Sequence, residues 1–135
     1  MRSMIVFLLT LVFGFEVHAE GPPAGDGEIR YVALQPSFVC DFGMAENGHL
    51  MYLKTSISIR VSSREAEVAA RSHMPALRNS LVLLLSRQDE ASVSTGNGRE
   101  GIRAQALEEL NGILEAEEGY SYIDDLMFTN FIVQR

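Results

Sequence analysis

From Met51 to Val61 the chain alternates between two sets of residues. Met51, Leu53, Thr55, Ile57, Ile59 and Val61 fall on one side, and Tyr52, Lys54, Ser56, Ser58 and Arg60 on the other. A period of two over that length predicts a long antiparallel strand with one buried and one wet face. Asn47-Gly48 just before it is a turn dipeptide. Upstream, Ile29 to Leu34 and Phe38 to Phe42 read as two short strands parted by Gln35-Pro36-Ser37.

The period then changes. Ser62-Ser63-Arg64-Glu65 matches a capping box with Ser62 as the cap, and predicts a short helix to about Met74. Pro75 suits the first turn of a second helix, where its missing N–H leaves nothing unpaired. In that helix Leu77, Leu81, Leu84 and Leu85 form one stripe, widened by Val82 and Leu83, as expected for packing against the sheet or another subunit. Ala91 to Gly98 reads as a polar break, with Asn97 capping a third helix and Glu100 at the capping-box spacing. Ile102, Ala106, Leu110 and Ile113 line one face of that helix. Gly101 and Gly112 lie inside it, each at a cost of about 1 kcal/mol against Ala, which suggests close approach of a neighbour. Gly119 can end the helix.

Ile123 to Val133 predicts a closing strand. Leu126, Phe128 and Ile132 alternate there with Met127, Thr129, Phe131 and Val133, so both faces read as apolar and covered. Strands, then helices, then a returning strand make an α+β domain: an antiparallel sheet with helices packed on one side. At 135 residues the chain is sized for one such domain.

Ahead of that domain, Arg2 and the amino terminus give a short positive stretch, followed by the apolar run Ile5 to Phe15. A bilayer-spanning helix needs about 20 apolar residues, whereas the hydrophobic region of a signal peptide runs to about 7–15. Val17-His18-Ala19 then offers a cleavage site after Ala19. Residues 1–19 are therefore expected to be a signal peptide, or else a short uncleaved anchor. Residues 20–28, rich in Gly and Pro, form a linker, and residues 29–135 the folded domain, expected to work outside the cytoplasm.

Composition narrows the function. Eighteen Asp and Glu against eleven Lys and Arg give a net charge of −7, and the basic residues are scattered. Nucleic-acid binding draws on clustered Lys and Arg, so it is not expected. The single cysteine, Cys40, cannot form an internal disulfide; it is either a small buried hydrophobe or half of an intermolecular bridge. No catalytic constellation stands out. His49 sits beside a turn and His73 closes a short helix, far apart and without Cys or carboxylate at ligand spacing, so neither metal nor cofactor is expected. Ser94-Thr95-Gly96-Asn97-Gly98 lacks the Lys-Ser/Thr ending of a phosphate-binding loop and reads as a loop plus cap. Asp124-Asp125 would point to opposite faces of a strand and reads as a solvated turn.

Three ordered segments carry a resemblance. Met74-Pro75-Ala76-Leu77-Arg78-Asn79 leads into Leu81-Val82-Leu83-Leu84-Leu85-Ser86. Gly98-Arg99-Glu100-Gly101-Ile102-Arg103 follows, close to a Gly-Lys-Glu-x-Leu-Arg pattern. The third is the Phe-Thr-x-Phe-x-x-Gln ending at Phe128, Thr129, Phe131 and Gln134. Over about Tyr31 to Gln134 the chain resembles the flagellar basal body-associated FliL family.

That resemblance implies a stomatin/prohibitin-like periplasmic domain at the inner membrane. It also implies self-association into a homo-oligomer, with rings around the flagellar stator proteins, and a part in motor rotation, motility and chemotaxis by binding, with no enzyme activity. Pro75, Gly98, Phe128, Thr129, Phe131 and Gln134 are the family motif positions. Within such a ring, Phe128, Phe131 and Leu110 are expected to hold the core and Arg99, Glu100 and Arg103 to lie nearer an interface. Relatives usually carry a basic cytoplasmic tail and a full transmembrane helix, where this chain has the short leader. A soluble periplasmic binding module of the same fold, unconnected to the flagellum, is the alternative.

Overall fold

The computed structural model describes residues 25–135; the expected signal peptide and most of the expected linker lie outside them. In chain order the elements are β1 (Arg30–Ala33), β2 (Phe38–Met44), β3 (Leu50–Val61), α1 (Arg64–Ser72), α2 (Met74–Ser86), α3 (Glu90–Ser94), α4 (Gly96–Glu118) and β4 (Asp125–Gln134). All strand pairs are antiparallel, so the α+β class expected from the alternation of patterns holds.

β3 is the strand that every other strand touches. β1 pairs with its second half (Arg30 opposite Val61, Ala33 opposite Ser58) and β2 with its first (Phe38 opposite Thr55, Asp41 opposite Tyr52). β1 and β2 thus lie end to end along one edge of β3, broken at the cis Gln35–Pro36 bond. β4 runs along the other edge, from Arg60 opposite Asp125 to Tyr52 opposite Gln134. The alternation in β3 sorts as its sequence requires: Met51, Leu53, Thr55, Ile57, Ile59 and Val61 are buried. Thr55, the one polar member, is satisfied by donating from Oγ1 to the Asn130 carbonyl at 2.6 Å.

The helices cover the inner face. α2 inserts Leu77, Leu81, Leu84 and Leu85, all at most 1% exposed, each stabilising by about 1.5–3 kcal/mol through removal from water. Val82 and Leu83 do not widen the stripe; both turn outward and are exposed. α4 buries Ile102, Ala106, Leu110 and Leu114. Ile113, expected in that row, is half-buried beside it, because the row advances by four residues at its end where the reading advanced by three. Among the described residues no helix lies on the opposite face of the sheet, where Tyr31, Val39, Tyr52 and Ile132 stand exposed.

Helix ends depart from the sequence reading in three places. Ser63, not Ser62, caps α1: its hydroxyl accepts from the Ala66 amide at 3.0 Å, and Glu65 falls one position short of closing the box. The expected break from Ala91 to Gly98 contains a helix, α3. Asp89 and Ser92 form the reciprocal cap there, Asp89 Oδ1 accepting from the Ser92 amide at 2.8 Å and Ser92 Oγ from the Asp89 amide at 3.2 Å. Thr95, not Asn97, caps α4, accepting from the Gly98 amide at 3.0 Å. Gly119 does end α4, at φ 86° with its amide on the Glu115 carbonyl. Around Gly101 and Gly112 no other part of the chain approaches, so their smallness serves no packing among the described residues.

β4 brings the largest correction. Ile57 pairs with Phe128 and Ser56 with Asn130, leaving Thr129 as an extra residue in the ladder. Such a bulge reverses the alternation beyond it. Leu126 and Phe128 before it, and Phe131 and Val133 after it, therefore share the inner face, while Ile132 points out and is half exposed. Among the described residues β4 is covered on one face, not two.

Candidate functional site

The second and third motif segments meet at the junction of α3, α4 and β4. The corner is built by local bonds. Thr95 both caps α4 and donates from Oγ1 to the Ala91 carbonyl at 3.1 Å, which fixes the turn between the two helices. Gly98 allows that turn to be tight. A Cβ at this position would lie 2.2 Å from the Ser92 carbonyl oxygen, so only glycine fits. Val93 is thereby pressed into the core at 1% exposure.

One turn into α4 the charged residues begin. Arg99 lays its guanidinium over the Phe131 ring, 5.5 Å from the centroid, a cation–π arrangement. Its Nε is 3.4 Å from the Thr95 carbonyl, and no carboxylate pairs with it among the described residues. Arg103 is held on two sides. It donates from Nε and Nη2 to Glu100 at 2.8 and 2.6 Å, and from Nη1 to Asp125 at the start of β4. The Arg103 guanidinium holds the Glu100 carboxyl below its usual range, and the Arg103 pKa is raised in return. Asp125 is thus a half-buried ion-pair partner and an acceptor for the Leu126 amide at 2.8 Å, not the solvated turn residue its neighbourhood suggested. The three residues expected near an interface therefore differ in placement: Arg103 ties α4 to Asp125 of β4, Glu100 holds Arg103 from within α4, and Arg99 faces outward.

Of the motif residues, Phe128 and Phe131 pack edge to face on the inner side of β4, and Thr129 occupies the bulge, its Oγ1 donating to the Ser56 carbonyl at 3.4 Å. Leu110 is fully buried, and the two phenylalanines are partly buried against the core. Gln134 is the last residue of β4, exposed and opposite Tyr52. Pro75 stands apart, exposed in the first turn of α2. Three residues on, Arg78 donates to the Leu34 and Pro36 carbonyls at 2.8 and 2.7 Å and stacks 4.2 Å above the Phe38 ring, bracing the break between β1 and β2.

Between α3, the start of α4 and the end of β4 lies a cleft of about 390 Å³, lined by Val93, Ser94, Arg99, Phe131, Val133 and Arg135. Arg135 reaches Glu90 at 3.0 Å and donates to Ser94 Oγ at 3.1 Å. This cleft was not legible from the sequence, because its walls come from segments some forty residues apart. The remaining candidates are structural. His73 Nε2 contacts Glu118 at 2.7 Å, joining the α1–α2 junction to the end of α4. His49 is exposed beside the β2–β3 turn. Among the described residues no three His, Cys, Asp or Glu side chains cluster as metal ligands. Cys40 is buried at 4% exposure, and burial pushes its thiol pKa up, so it packs as a small hydrophobe.

The family model described as flagellar basal body-associated protein FliL matches residues 31–134. This chain belongs to the FliL family. The match takes in every element from β1 to β4. The chain is 25% identical over 101 residues to the flagellar protein FliL of Aquifex aeolicus, covering 75% of this chain and 59% of that one. With the FliL of Escherichia coli K12 it shares 26% identity over 98 residues, 73% of this chain and 61% of the other. The chain thus spans about three-fifths of the length of these relatives. Among the described residues no helix is long and apolar enough to cross a membrane.

Proposed function

We propose that this FliL domain works in the periplasm as a binding scaffold, self-associating and holding the periplasmic part of the flagellar stator so as to support motor rotation, motility and chemotaxis. The match to the family over the whole of residues 31–134 carries this reading. The outer face of the sheet, uncovered among the described residues and with Tyr31, Val39, Tyr52 and Ile132 exposed, supports a domain made to be covered by others. On this reading the leader over residues 1–19 delivers the domain across, or to, the inner membrane. The Arg99, Glu100 and Arg103 corner borders the subunit contact, and the role is binding without catalysis.

Deletion of the gene should lower swimming speed under viscous load, and a fluorescent fusion should sit at the flagellar base. Unchanged swimming together with a diffuse envelope signal would remove the flagellar role. Cross-linked pull-down from envelope fractions then separates the stator from the partners expected of a binding module unconnected to the flagellum. Mass spectrometry of the mature N-terminus decides the fate of the leader.

A further inference from the structure

We propose that the cleft at the end of β4 is a docking site for an extended segment of another protein that carries a carboxylate between apolar side chains. Two separate features meet there. The first is chemical. Arg99 has no acidic partner among the described residues in a chain of net charge −7, and it lies over a floor made by Val93, Phe131 and Val133. Arg135 stands across the cleft with its guanidinium divided between Glu90 and Ser94. A carboxylate gains from a planar guanidinium already oriented on an aromatic ring, and its apolar neighbours gain from the floor.

The second feature is the backbone. Among the described residues β4 pairs with β3 on one side only, so its other edge presents N–H and C=O groups without a strand partner there, along the stretch that lines the cleft. Such an edge accepts an added strand, and side chains two apart on that strand then share one face. A carboxylate flanked at i−2 and i+2 by apolar residues fits both the cationic centre and its apolar surround.

A second copy of β4 fits less well. From Leu126 to Gln134 it has no carboxylate, and Asp125 is already held by Arg103. The Thr129 bulge also interrupts the edge along which a symmetric pair would form. The docking site does not depend on the motor role, since the segment is defined by its chemistry alone.

The test uses the isotope-labelled chain and an acetylated, amidated peptide, Thr-Val-Thr-Glu-Thr-Val-Thr, followed by NMR. Saturable shifts at the Arg99 Nε–H and at the amides of residues 130–134 are expected. At least a tenfold loss of affinity is expected for the Glu-to-Gln peptide and for Arg99→Gln, whose unchanged amide spectrum elsewhere would show that it is folded. Equal binding of the Gln peptide would overturn the carboxylate reading, and shifts confined to side chains would overturn strand addition. The site as proposed would also be refuted by no saturable response, by a response to inorganic phosphate or anionic vesicles but not to the peptide, or by dimerisation through β4 that excludes the peptide.

Discussion

Phe128 and Phe131 stand on the same side of β4 with ring centroids 5.1 Å apart, although three positions separate them in a strand. Only the extra residue at Thr129 permits this, since a regular strand would place them on opposite faces. The aromatic pair and the bulge are one device. Phe131→Ala should destabilise by about 2 kcal/mol, below the 3–5 kcal/mol of a fully buried Phe because the ring is only partly buried. Deleting Thr129 should be less damaging, because it leaves a regular strand in which Phe128, Asn130 and Phe131 keep their partners Ile57, Ser56 and Thr55 and their faces. Denaturant midpoints of the two variants check the order.

The two glycines of the Gly-x-x-Gly stretch in α4 should respond with opposite signs. Gly98→Ala forces a Cβ against the Ser92 carbonyl and should cost about 1–3 kcal/mol or more. Gly101→Ala enters open space in a helix and should stabilise by about 0.5–1 kcal/mol. Thermal melts of the pair give the answer. If Gly101→Ala raises the melting temperature yet weakens self-association, its smallness serves a neighbouring subunit.

The caps separate two adjacent serines. Ser63→Ala should lose about 1 kcal/mol, since Ser63 Oγ satisfies the Ala66 amide. Ser62→Ala should change stability by less than about 0.5 kcal/mol. An equal loss at both positions, seen in urea titrations, would show that the cap is shared.

Acid should loosen the α3–α4 corner. The amide and hydroxyl of Ser92 hold the Asp89 carboxyl below its usual range, and Arg103 does the same for Glu100. A carboxyl depressed in the folded state stabilises fully above its unfolded value, near 4, and the contribution fades as pH falls through the lower folded value. Stability should therefore be level from pH 7 to about 5 and fall below about 4. Asp89→Asn should flatten part of that fall, as read from melting temperature against pH.

How much of this could be read from the sequence depended on whether one rule governed a segment. β3 could be read residue by residue, because one face is buried along its length and the alternation is unbroken. β4 could not: a single inserted residue reverses the parity, and nothing in Phe128-Thr129-Asn130-Phe131 marks where it sits. α3 was hidden because five residues carry too few apolar positions to show a period, although Asp89 followed by Ser92 at cap spacing was a usable signal. Arg99, Glu100 and Arg103 were singled out from a motif, but the tie of Arg103 to Asp125 and the seat of Arg99 over Phe131 rest on residues more than twenty positions away.

The placement of β1 and β4 along opposite edges of β3 has a mechanical meaning. Arg30 begins β1 at the Val61 end of β3, and Gln134 ends β4 at the Tyr52 end. A pull applied between those two points drags β1 and β4 in opposite directions along β3. The ladder bonds lie across the strands, so they would be loaded together in shear, not opened one at a time like a zipper. A domain tethered before β1 and gripped beyond β4, beside a turning machine, would meet tension in its most resistant direction.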